Sequence, residues 1–235
     1  MAVTMTPLTS GSASADGATT ASITPGANAL ILAAVVGATT SDPVFTLTGN
    51  GLTWVSIDTV VITGPRVLNL FRALGASPSA GGVSINAHDT NVSGLGWSIA
   101  QFDGVDTGGT NGAGAIVQFA DGAFGSGHSV TVTLSAFGDA GNATYGCFGM
   151  RDPVGSPTAG TGFTGIHALS AGGMELTSEW RADNDTTVDY SWDPAFDTQS
   201  GGIAIEIKAA SGGAPTGISG HGRNVFRMKR RSWGW

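Results

Sequence analysis

One cysteine, Cys147, stands among 235 residues, so no disulfide can form within the chain. Its setting, TYGCFGM, is apolar and predicts a buried, unreactive thiol. Charge is scarce as well: Asp, Glu, Lys and Arg make up 11% of the residues, against about 25% in an average soluble domain. Long hydrophobic runs are missing too. The longest, ALILAAVV at 29–36, falls far short of the ~20 residues that a membrane helix needs. The stretch MAVTMTPLTSGSASADG has neither the basic start nor the apolar centre of a secretory signal. These absences predict synthesis in the cytoplasm and no membrane contact.

Motifs of catalysis are equally thin. No Gly-x-Ser-x-Gly elbow occurs. His88, His128, His167 and His221 are far apart, and none has a second His or Cys at metal-ligand spacing. Gly160–Gly165 fits G-x-G-x-x-G with Asp183 downstream, but neither a strand before it nor a helix after it is indicated, and a dinucleotide site needs both. Asp183, Asp185, Asp189, Asp193 and Asp197 cluster in RADNDTTVDYSWDPAFD; Val188 stands where a calcium loop of the EF-hand type needs glycine. Solvated turns are the plainer reading of that cluster. The expectation is therefore no catalytic residue, no metal, no cofactor and no enzyme.

What the chain does hold is glycine, 38 residues, about twice the usual share. Short stretches rich in Val, Ile, Thr, Phe and Trp recur between Gly, Asn, Asp, Ser and Pro clusters, and predict about thirteen strands with no intervening helix. In HSVTVTL, Val130, Val132 and Leu134 alternate with polar residues, and GGIAIEIKA does the same with Ile203, Ile205 and Ile207. Such alternation suits antiparallel sheets with one covered face. The predicted fold is all-β, an antiparallel, jelly-roll-like β-sandwich over residues 1–210. Trp54, Trp97, Trp180 and Trp192 fall on these strands as core residues, although exposed rings would suit a sugar platform. GLTW at 51–54 and GLGW at 94–97 are too short an echo to indicate a repeat.

A composition shift follows. SGGAPTGISGHG, at 211–222, reads as a linker, and RNVFRMKRRSWGW, at 223–235, as a flexible basic, aromatic tail. The tail carries five of the ten Lys and Arg, so residues 1–222 have net charge −12 and the tail brings the chain to −7. Nucleic acid is disfavoured by so negative a body. Docking on a neighbouring protein fits better, with Phe226, Met228, Trp233 and Trp235 as anchors and Arg223, Arg227, Lys229, Arg230 and Arg231 setting register and encounter rate.

The blocks GNGLTWVSIDTV, LNLFRALGASPSAGGVSI, WSIAQFDGVDT and DTTVDYSWDPAFDTQSGGIAIEIKAA resemble those of tailed-bacteriophage and prophage virion structural proteins. The resemblance covers about residues 20–210 and leaves the tail outside. It implies a surface subunit of a bacteriophage particle, a capsid decoration or a tail or head-fibre protein. Such a subunit would be made in the host cytoplasm, located in the virion and partnered by copies of itself, such as a trimer, and by other virion proteins. The competing expectation is a carbohydrate-binding module for a host surface glycan.

Overall fold

A computed structural model describes residues 2–39, 43–89 and 91–211. Among them the chain is strand and turn, apart from one 3-10 turn at Ala113–Ala115. The first half holds β1 (Thr4–Ala13), β2 (Ala18–Thr19), β3 (Leu30–Ala38), β4 (Thr46–Thr48), β5 (Val55–Thr63), β6 (Arg66–Ala73), β7 (Ser84–Asn86) and β8 (Gly94–Asp103). The second holds β9 (Ile116–Gly127), β10 (Ser129–Thr133), β11 (Ala143–Met150), β12 (Thr158–Ala159), β13 (Thr164–Ala171), β14 (Met174–Arg181), β15 (Thr187–Ser191) and β16 (Thr198–Ile207).

These strands form four antiparallel sheets. In the first half the orders are β1-β8-β3-β6-β5 and β2-β7-β4; in the second they are β9-β16-β11-β14-β13 and β10-β15-β12. Adding eight to every strand number of the first half gives the second. Each half is thus an eight-stranded jelly-roll-like sandwich whose fifth strand has joined the larger sheet. The all-β sandwich class matches the expectation from the sequence; the repeat does not, the GLTW and GLGW echo being too short to indicate one.

The duplication extends to single residues. Both β5–β6 and β13–β14 are hairpins with two-residue turns, Gly64-Pro65 and Gly172-Gly173, and Gly64 and Gly172 hold left-handed φ values of 51° and 55°. Ile57 and Ile166 stand at matching bulges in those hairpins. Leu68 and Leu176, and Gly96 and Gly201, are equivalent by strand register. Almost nothing else is identical, which is why the repeat is silent in the sequence.

The two five-stranded sheets pack face to face, with β1 against β13 and β5 against β9, an arrangement that an approximate twofold axis between the halves would produce. The central core combines Leu30, Leu32, Val36 and Phe102 of one half with Tyr145, Cys147, Leu176 and Ile205 of the other. Phe102 meets the rings of Tyr145 and Trp180 edge-on, at centroid distances of 5.8 and 6.1 Å. Each three-stranded sheet then covers an outer face, over clusters that include Val35 and Trp97 on one side and Phe148 and Trp192 on the other.

Four layers explain the run at 29–36. Every residue of β3 is buried, with Leu30, Leu32, Ala34 and Val36 facing the central core and Ile31, Ala33 and Val35 the outer one. A strand covered on both faces needs no alternation. Val130, Val132 and Leu134 do alternate, facing the outer core, as expected from the sequence. Cys147 is fully buried, and burial pushes its thiol up. Trp97 and Trp192 are buried in the outer cores, and Trp54 and Trp180 pack partly buried against core clusters.

Candidate functional site

Four strands of the larger sheets are outermost: β1, β5, β9 and β13. An outermost strand leaves one row of backbone N–H and C=O groups unpaired, and proteins usually blunt it with proline, lysine, bulges or brevity. β1 carries Pro7 and a bulge between Pro7 and Thr9. β9, its counterpart, is twelve residues long and reads IVQFADGAFGSG, without proline, lysine or arginine; its register with β16 shifts near both ends, between Ile116 and Gln118 and between Phe124 and Gly127, and is regular over 118–124. Its residues alternate between partly covered and exposed, and Val117 and Phe119 are 49% and 51% exposed.

Beside that strand, Ile57 and Arg72 of the first half and Ala113, Ile116, Val117 and Phe119 of the second line an open cavity of about 380 Å³. Farther along the same edge, Asp58 on β5 faces Asp121 on β9. Burial raises the Asp58 carboxyl above its ordinary value, the Thr59 N–H that donates to Oδ1 at 2.8 Å opposes this, and the Asp121 charge raises it again. A hydrogen bond between the two carboxyl groups acts in the same direction. Among the described residues no lysine or arginine makes an ion pair with either carboxylate.

The start of β9 is held by a buried polar clamp. Glu206, fully buried, accepts hydrogen bonds from Nδ2 of Asn142 and Nε2 of Gln118, each at 2.6 Å. Gln118 also accepts from the Ser135 N–H at 3.0 Å, and Asn142 accepts from the Ala209 N–H at 3.0 Å. This ties β9, the loop before β11 and the chain after β16 into one unit. Glu206, Asn142, Asp139 and Lys208 line a second cavity of about 350 Å³ that shares Ile116 and Val117 with the first. The Lys208 ammonium is paired with Asp106 at 2.6 Å.

At the opposite edge the equivalents of Asp58 and Asp121 are His167 and Ser10. His167 contacts Oγ of Ser98 through Nδ1 at 2.8 Å, and Ser98 contacts Ser178 at 2.7 Å. Burial lowers the His167 imidazole below its ordinary value. Ser98 is only 1% exposed, enclosed between the two large sheets, so its hydroxyl is placed to join the halves rather than to meet a substrate. Glu179, fully buried, accepts from the Gly160 N–H at 2.8 Å through Oε2, while Oε1 has no partner. Burial pushes its carboxyl up to about 8, against the effect of that N–H and with help from the charges of Asp189 and Asp185.

The acidic stretch expected to form solvated turns divides among separate partners. Asp183 and Asp185 both pair with Arg181, Asp193 accepts from the Ala195 N–H at 2.9 Å, and Asp197 lies 3.4 Å from His128. Among the described residues no three His, Cys, Asp or Glu side chains gather as a metal site would require. Gly160–Gly165 connects β12 to β13 through a turn closed by the Phe163 N–H on the Gly160 carbonyl at 3.0 Å.

The tail residues read as partner-binding, Arg223, Phe226, Arg227, Met228, Lys229, Arg230, Arg231, Trp233 and Trp235, lie outside the described residues. β1 and β13, and with them the opposed edges, were not legible in the sequence, nor was the full length of β9 to Gly127. The available signal was the alternation in IVQFADGAF, interrupted by its glycines. Compared with known protein families, with curated proteins and with solved structures, the chain matches none.

Proposed function

We propose that the chain is a non-catalytic structural subunit of a bacteriophage particle, a surface component of the capsid or tail, that assembles with copies of itself and with other virion proteins. The observation that carries this reading is the regular outermost stretch 118–124 of β9, free of proline, lysine and arginine, on a body in which only 11% of residues are charged. A free edge of that kind favours pairing with another chain, and cores of interfaces are poor in charge. The resemblance of residues 20–210 to phage virion proteins supplies the setting. The glycan-binding alternative rested on exposed tryptophans, and the four strand tryptophans are packed into or against the cores.

The test is to quantify the chain in purified particles from a host that encodes it. Copies in fixed ratio to the major capsid or tail protein, retained through high-salt washing, are expected. Absence from particles, with the chain recovered only in the soluble fraction, would overturn the assignment.

A further inference from the structure

The fold presents two topologically equivalent edges; both are bulged, and they differ in the side chains they carry. At the β1 edge stand Pro7 and a bulge, with Ser10 and His167 at the positions that Asp121 and Asp58 hold on the other side. At the β9 edge stand exposed Val117 and Phe119, a cavity shared by the two halves, and two facing carboxyl groups with no cation among the described residues paired to them. Such a pair is relieved by a shared proton or by a positive group placed between them. A partner that is extended, apolar on alternate residues and basic suits this edge.

The chain carries such a segment. In residues 223–235, Phe226 and Met228 alternate with Arg227 and Lys229, so in an extended conformation Phe226, Met228 and Arg230 share one face and Arg227 and Lys229 the other. The described chain also ends beside the edge. The Lys208 N–H bonds the carbonyl of Ala115, the residue before β9, and the Ala210 N–H bonds the carbonyl of Gly104. From there, residues 211–222 span about 20 Å on average as a flexible linker and about 40 Å at full stretch. β9, at ~3.4 Å per residue, lies within that reach along its whole length.

We propose that the free edge of β9, with the Ile57–Phe119 cavity and the Asp58–Asp121 pair, is the docking site for residues 223–235 of this polypeptide. Strand addition satisfies the unpaired backbone groups of β9, Phe226 covers Val117, Met228 covers Phe119, and Arg230, on the same face of the extended tail, separates the two carboxylates. The same acceptor serves the tail of its own chain and the tail of an adjoining copy. The short linker favours its own chain in dilute solution, and crowding of copies favours exchange. This deepens the assembly reading by naming the surface that receives the tail.

The experiment uses the full chain, purified alone, with Ala123→Cys on β9 and Ser232→Cys in the tail, the residue that falls beside position 123 when Phe226 lies on Val117 and Met228 on Phe119. Its control replaces Ser12, which occupies the matching place on β1, in the pair Ser12→Cys with Ser232→Cys. Cys147 can stay, because it is fully buried. After mild oxidation, a disulfide between positions 123 and 232, within one chain or between two, is expected in several-fold excess over the 12–232 link. High salt, or Asp58→Asn with Asp121→Asn, should lower that yield several-fold. Equal yields at positions 12 and 123 would overturn the proposal. So would dimers formed through Ala123→Cys when position 232 remains Ser, because that result assigns β9 to a second β9. Since the readout needs no particle, its failure leaves the particle assignment standing, and absence from particles leaves the docking site standing.

Discussion

Gly96 of β8 and Gly201 of β16 occupy one and the same position in the two halves, and each lies against the hairpin of the opposite half. A Cβ on Gly96 would come within 2.8 Å of the Ala171 Cβ and 3.2 Å of the Leu169 Cδ1; on Gly201 it would come within 2.8 Å of the Val60 Cγ1 and 3.0 Å of the Ile62 Cγ1. Absence of a side chain at these two points lets the large sheets approach.

Gly96→Val and Gly201→Val should each destabilise the fold by about 1–3 kcal/mol or more, since both overpack the same interface. Gly125, on β9 with open space around it, should accept alanine with a change within about 0.5 kcal/mol. Denaturant unfolding of the three variants checks this. Equal tolerance at all three positions would contradict the close approach of the sheets.

The first half expressed alone, residues 1–106, would expose Leu30, Leu32, Val36, Leu68, Leu70 and Phe102. A face of that size is not stable in water. Because the second half covers it in a nearly twofold manner, a second copy of the first half can take its place. Light scattering should report a dimer, and a folded, monodisperse monomer would sink the idea of a fused dimer.

Glu179 sets a pH dependence. Its carboxyl is raised from the ordinary 4.5 to about 8 in the folded chain, so between those values the folded state binds more protons than the unfolded one, and stability falls as pH rises. The penalty is absent below about pH 4.5 and complete above about pH 8. Glu179→Gln, which keeps an acceptor for the Gly160 N–H, should therefore raise stability at pH 8 by about 2–4 kcal/mol and change it little at pH 4.5, a tenfold change in ionisation being about 1.4 kcal/mol. Melting curves at the two pH values decide. An equal effect at both would remove ionisation as the cause.

How much of this was legible in the sequence differs by element. Ile203, Ile205 and Ile207 announce their facing by alternation because only one face of that strand carries large apolar residues; Gly202 and Ala204 on the other leave room for the outer layer. β1 and β13 were silent, since TMTPLTSGSA and TGIHALSA sit at edges where packing asks little of a side chain. The duplication was silent for another reason: Tyr145 stands opposite in role to Leu32, and Glu206 to Gln101. Topology and register persist where composition has changed. Asp58 and Asp121 lie 63 positions apart, and only the pairing of the two halves brings them together.

The most direct test of the central claim, that the β9 edge is where this chain is joined, is amide hydrogen exchange along residues 116–127 in the full chain and in a chain ending at residue 222. The described strands all end before that point, so the shortened chain keeps its fold. The account predicts that outward N–H groups of β9 are protected in the full chain and exchange quickly in the shortened one, with β1 unchanged. Identical exchange of β9 in both chains would contradict it.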